Sequence, residues 1–192
     1  MQPRPLTDLV FKGTHNSYAC IGQSLPLMGH PPSQQIDDFG VWSVELDFAV
    51  KTVDGELRAI VGHDDEDDSS CWGHFLRQYI EAIHATRSRP YRPILFVFDV
   101  KDWGETDRET AKAVGIADLA TVFGPANVVV LNDEELNRHV PSVPELAGKA
   151  VLQASDRLPR GFEDECTSRE AVNQAITSGT SLEGGCPGIL GV

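Results

Sequence analysis

Two histidines, three carboxylates, an asparagine and a lysine between residues 15 and 101 are of the types that could do chemistry together. Gly13-Thr14-His15-Asn16-Ser17-Tyr18 and Ile60-Val61-Gly62-His63-Asp64-Asp65 each put a histidine after a short apolar run. Glu45-Leu46-Asp47 and Asp99-Val100-Lys101 each space two charged residues one apart near the end of another. Oxygen donors from Asn16, Glu45, Asp47 and Asp99 suit a hard cation such as Ca²⁺ or Mg²⁺, which would hold a phosphate oxygen and neutralise developing charge. Two imidazoles flanking the phosphorus would act as general base and general acid.

Strand parity supports the grouping, because alternate side chains share a face. Val41, Ser43, Glu45 and Asp47 fall on one face, and Trp42, Val44, Leu46 and Phe48 on the other. The apolar face would pack under helices and leave the two acids pointing inward, where a cation or proton must compensate them. Near 93–101 the pattern repeats, with Ile94, Phe96, Phe98 and Val100 opposite Leu95, Val97, Asp99 and Lys101.

The elements that must carry these residues alternate. Strands are expected near 8–14, 41–49, 57–62, 93–101, 127–131 and 149–154. An amphipathic helix is expected from Trp72 to Ile83, another within 107–123 and a third within 168–178. Segments 22–35 and 155–167 read as long loops. The pattern predicts an α/β fold, a TIM-type β/α barrel built as one domain over 1–192. Six strands, or seven with Gly188–Val192, fall short of eight, so the barrel is expected to be incomplete or the chain a fragment. Active sites of such barrels lie at the C-terminal ends of the strands, where four consecutive strands would deliver His15 with Asn16, Glu45 with Asp47, His63, and Asp99 with Lys101.

Composition narrows the partners. At 192 residues the chain can bury a core without cross-links. A formal charge of −13 opposes nucleic acid and strongly anionic bilayers. No apolar run suggests a membrane span, which leaves peripheral contact. The start lacks the apolar core of a signal peptide. Cys20, Cys71, Cys166 and Cys186 leave one or two disulfides and free thiols equally open.

The string Gly-Thr-His-Asn-Ser-Tyr at 13–18, followed by Glu45-Leu46-Asp47-Phe48 and Gly62-His63-Asp64, resembles the catalytic X region of phosphatidylinositol-specific phospholipase C, over roughly residues 8–101. The resemblance implies His15 and His63 as the catalytic pair, with Asn16, Glu45 and Asp47 as metal ligands of the calcium-dependent branch and Asp99 as a further carboxylate. It implies Ca²⁺ ahead of Mg²⁺, a phospholipid or glycerophosphodiester substrate, and a secreted protein. Phe98-Asp99-Val100-Lys101 is more similar to sphingomyelinase D and glycerophosphodiester phosphodiesterase relatives, in which acid and lysine both serve the phosphate. That is the alternative enzyme, using Mg²⁺ and Lys101. A non-catalytic head-group-binding barrel, or an inactive fragment, is the alternative outside enzymes.

Plainer readings stand beside these. Glu45 and Asp47 alone would be an ordinary solvated strand end, and Lys101 is either a phosphate contact or a surface lysine. The acidic run 64–68 reads as a solvated loop. His74 and His84 read as structural residues of the helix, and His30 and His139 as loop residues. Tyr18 and Trp103 would line a pocket mouth or pack loops.

Overall fold

A computed structural model describes Leu6 and residues 13–14, 17–18, 30–64 and 73–154. In chain order the described elements are β1 (Gly13–Thr14), α1 (Pro32–Asp37), β2 (Ser43–Val53), β3 (Glu56–Val61), α2 (Leu76–His84), β4 (Ile94–Val100), α3 (Arg108–Phe123), β5 (Val128–Leu131), α4 (Asp133–Arg138), α5 (Val143–Leu146) and β6 (Ala150–Gln153). The sheet runs β1-β2-β4-β6-β5, each neighbouring pair parallel. Among the described residues its two ends do not meet. The expected α/β class and parallel sheet are present, and among the described residues the barrel is not closed. No described helix is long and apolar enough to cross a membrane.

β3 departs from the expected layout. It pairs antiparallel with β2, from Phe48↔Val61 to Val53↔Glu56, so it is the return arm of a hairpin and not another parallel barrel strand. The reason is local. Asp54 and Gly55 take φ of 54° and 80°, the left-handed pair that closes a two-residue hairpin, and Asp-Gly is the dipeptide that prefers it. The hairpin still returns its end to the middle of β2, so His63 arrives by a different route.

The sheet's outer face carries the larger core. Val44, Leu46 and Phe48 of β2 and Ile94 and Phe96 of β4 pack with α2 and α3. Leu6, Leu95, Leu131 and Val151 form a second cluster. Alternation begins at Ser43, where β2 begins. Val41 joins the outer cluster and Trp42 packs on the second, the reverse of strict parity, because these two residues precede the strand.

Other boundaries shift for legible reasons. α1 occupies the end of the segment read as a loop, started by a proline in its first turn. α2 starts at Leu76 and not Trp72, and the Gln78 side chain accepts from the His74 and Phe75 amides (2.8 and 2.9 Å). His74 therefore precedes the helix, while His84 is inside it against Phe123. α3 falls where expected, capped by the Asp107 carboxylate, which accepts from the Thr110 amide, and ended by Gly124 at φ 82°. α4 and α5 were not foreseen, although Asn132 and the Ser142–Glu145 capping box mark their starts. His139 accordingly ends α4, its ring bonded to Glu145. The four cysteines, Trp72, helix 168–178, the loop 155–167 and Gly188–Val192 lie outside the described residues.

Gly115 of α3 sits where a Cβ would come within 2.9 Å of Phe98 and 3.0 Å of Phe48, whose rings meet edge to face. Gly115→Val is expected to destabilise the fold by about 1–3 kcal/mol, read by chemical denaturation. Unchanged stability would mean that the rings move aside freely.

Candidate functional site

Parallel pairing of β2 with β4 sets Asp47 directly beside Asp99. Like charges opposite one another on a sheet repel, so this register needs a counter-charge. Lys101 supplies it: its Nζ lies 2.7 Å from Asp99 Oδ2 and 3.2 Å from Asp47 Oδ2. Burial would lower the lysine's pKa, but the bond to Asp99 and the charge of Asp47 outweigh it and raise it above its ordinary value. Lys101 therefore stays charged, and is part of the cluster instead of a surface residue.

Asp47 is 1 % exposed. Burial raises its pKa above the ordinary value against the attraction of Lys101, and the neighbouring Asp99 charge raises it further. Tyr18, fully buried, donates its hydroxyl to Asp47 Oδ2 at 3.0 Å. That contact replaces both expected roles for Tyr18: it neither lines a pocket mouth nor merely packs a loop. The other oxygen, Asp47 Oδ1, is buried with no hydrogen-bond partner among the described residues.

Glu45 lies two residues earlier on the same face. Its backbone is gripped from both directions: the Ser17 amide donates to Glu45 O, and the Glu45 amide donates to Ser17 Oγ, both at 3.0 Å. Ser17 Oγ donates in turn to Thr14 O at 2.9 Å, and Gln35 Nε2 donates to Ser17 O at 2.9 Å. His15 and Asn16 lie outside the described residues, but the residues flanking them, Thr14 and Ser17, are bonded to each other, and Ser17 is bonded to Glu45. Ser17 and Gln35 had no role in the sequence reading. The Thr-x-x-Ser spacing at 14–17 was the available signal for the first, and nothing local marked the second.

His63 is exposed, just past β3. The Gly62 amide donates to Asp47 O at 3.1 Å, which puts His63 one residue from the backbone of the buried acid. Trp103 Nε1 donates to His63 O at 3.2 Å, and Lys51 Nζ lies 5.2 Å from the Trp103 ring centre. Described residues thus bring together Glu45, Asp47, Asp99 and Lys101, with the His63 backbone adjacent.

A scan against protein-family models finds no match, and a search of curated proteins finds none either. Solved structures do match. PLC21 of L. pealei aligns over 96% of this chain and 23% of its own, with 16% identity and a TM-score of 0.53. PLC21 of S. officinalis aligns over the same shares at 15% identity and 0.50. A Ca²⁺-dependent phosphatidylinositol-specific phospholipase C from Streptomyces antibioticus aligns over 88% of this chain and 61% of its own, at 19% identity and 0.53. The fold is that of phospholipase C structures. This chain spans less than two thirds of the length of each.

Within that fold the acidic cluster has the donor chemistry of a cation site. Glu45, Asp47 and Asp99 each offer an oxygen, all within 4.8 Å of one another. Among the described residues three carboxylates face one lysine, and Asp47 Oδ1 is a buried acceptor with no hydrogen-bond partner among them. The residues present fit a hard divalent ion.

Lys101→Met should destabilise the chelator-treated protein by roughly 2–4 kcal/mol, since it strands a buried carboxylate. Adding Asp47→Asn should recover most of that loss in a double-mutant cycle. Additive losses would show that the pair is not coupled.

Proposed function

We propose that the protein is a metal-dependent phosphodiesterase that cleaves a phospholipid or its soluble glycerophosphodiester in the manner of a phosphatidylinositol-type phospholipase C. The observation that carries this reading is the Glu45–Asp47–Asp99 cluster, with a buried Asp47 oxygen that has no partner among the described residues, on a fold shared with a Ca²⁺-dependent phospholipase C. Asn16, Glu45, Asp47 and Asp99 would hold the cation, Ca²⁺ ahead of Mg²⁺. When bound it supplies Lewis-acid stabilisation of charge on the phosphate oxygens.

In this scheme His63 accepts the proton of the inositol 2-hydroxyl as that oxygen attacks phosphorus. His15 contacts the phosphate and protonates the departing lipid alkoxide, giving a cyclic phosphate. Tyr18 orients Asp47, and Lys101 balances the acids from the side. The −13 charge favours zwitterionic or soluble substrates and only peripheral membrane contact.

The bonds of Lys101 to both Asp47 and Asp99 support a second reading, the glycerophosphodiesterase or sphingomyelinase D-like chemistry with Mg²⁺, in which the lysine serves the phosphate.

Hydrolysis of phosphatidylinositol, glycerophosphoinositol and sphingomyelin, with Ca²⁺, Mg²⁺ or chelator and phosphorus products followed by NMR, separates these. Calcium-dependent inositol cyclic phosphate is expected. Ceramide phosphate or choline release with Mg²⁺ would move the protein to the second reading, and no product at all would favour a head-group-binding barrel. His15→Ala and His63→Ala should each lower turnover by roughly 10²–10⁴-fold, and wild-type turnover in either would remove that residue from the mechanism. Asp47→Asn should weaken cation affinity, measured by calorimetry. An unchanged affinity would take Asp47 out of the ligand set.

A further inference from the structure

β2 continues past the end of β4, and its last residues have β3 on one edge only. Alternate residues of a strand turn their backbone groups to opposite edges. The groups of Phe48, Val50 and Thr52 are met by the segment 101–105 that follows β4. The Lys101 amide donates to Phe48 O at 2.9 Å, the Glu105 amide donates to Val50 O at 2.7 Å, and the Thr52 amide donates to Glu105 Oε2 at 2.9 Å. Gly104 lies so close that a Cβ would come within 2.9 Å of both Val50 N and Val50 O. The segment is thereby fastened along the hairpin that ends in His63.

Two side chains of this segment reach opposite parts of the site. Lys101 bonds Asp47 and Asp99, and Trp103 donates its indole N–H to His63 O. Lys51 covers the indole from β2. Five consecutive residues therefore touch both the acidic cluster and the histidine.

We propose that segment 101–105 holds His63 in register with the acidic cluster and that Trp103 is a positioning residue for it. This rests on the reading of His63 as a proton-transfer group. The indole N–H fixes the His63 backbone, the fastened hairpin fixes where the indole stands, and the imidazole is presented at a constant distance from whatever the carboxylates hold. A displacement of the order of 1 Å at such a group costs up to about a hundredfold in rate.

The test uses Trp103→Phe, which keeps an aromatic ring under Lys51 but has no N–H. A second variant carries benzothienylalanine at 103, an isostere that replaces the N–H with sulfur and keeps the packing should the smaller ring disturb the fold. Backbone ¹⁵N relaxation of His63 and the split between kcat and KM on phosphatidylinositol are both read. His63 order should fall in each variant and kcat should drop roughly tenfold to a hundredfold, with KM and Ca²⁺ affinity near wild type. Wild-type order and kcat in the isostere would overturn the proposal, as would a loss confined to KM. If the unaltered protein turns over no phosphodiester, the acid/base reading fails by itself and the relaxation measurement alone decides the positioning role.

Discussion

Burying Asp47 is the constraint around which the rest of the site is arranged. A carboxylate taken out of water must be paired, hydrogen-bonded or protonated. Here one oxygen receives Tyr18 and Lys101, and the other has no hydrogen-bond partner among the described residues. A buried carboxylate oxygen of this kind is ordinarily satisfied by protein, water or an ion. The strand register makes the demand sharper, because it seats Asp99 against Asp47 and so adds a second negative charge where the first is already expensive.

The surrounding structure reads as a response to that demand. Lys101 follows directly after β4 and lies between the two acids, its charge held by them. Tyr18 reaches Asp47 from the turn after β1, and the same turn is tied to Glu45 through Ser17 and to α1 through Gln35. The excess negative charge draws small cations, in keeping with the strongly acidic chain as a whole. In the proposed reaction a phosphate would approach through the cation and Lys101.

The antiparallel return of β3 matters for how the pieces meet. A strict β/α layout would carry each candidate residue on its own parallel strand. Instead β2 overshoots the rim, turns at Asp54-Gly55 and comes back, so one continuous hairpin supplies Glu45, Asp47 and His63. Short connections of this kind hold distances better than residues on separate loops, since the ladder of hydrogen bonds between β2 and β3 sets the spacing. The apolar outer face, with Phe48, Phe96 and Phe98 against α2 and α3, provides the rigid backing.

Much of this was legible in the residues. Alternation along 43–48 and 94–101 told which side chains share a face, because the strand period leaves no choice once one face is apolar, and that put Glu45, Asp47 and Asp99 together correctly. The helix within 107–123 was equally plain from its stop at Gly124-Pro125, whereas its Asp107 cap came to light in the structure. Reversal of β3 was written in Asp54-Gly55 but lost to the expectation of a parallel strand, and the swapped faces of Val41 and Trp42 followed from a strand that starts later than its apolar run. By itself the sequence determined the local facts: which residues alternate, where turns can form, and which groups carry charge. Only the tertiary structure decided that Tyr18 bonds Asp47, that Lys101 bridges two acids, that Trp103 reaches His63 and that one oxygen of Asp47 is left over. These depend on strand register and on contacts between distant segments, whose energies are set by burial and neighbouring charge and cannot be read from any residue's own identity.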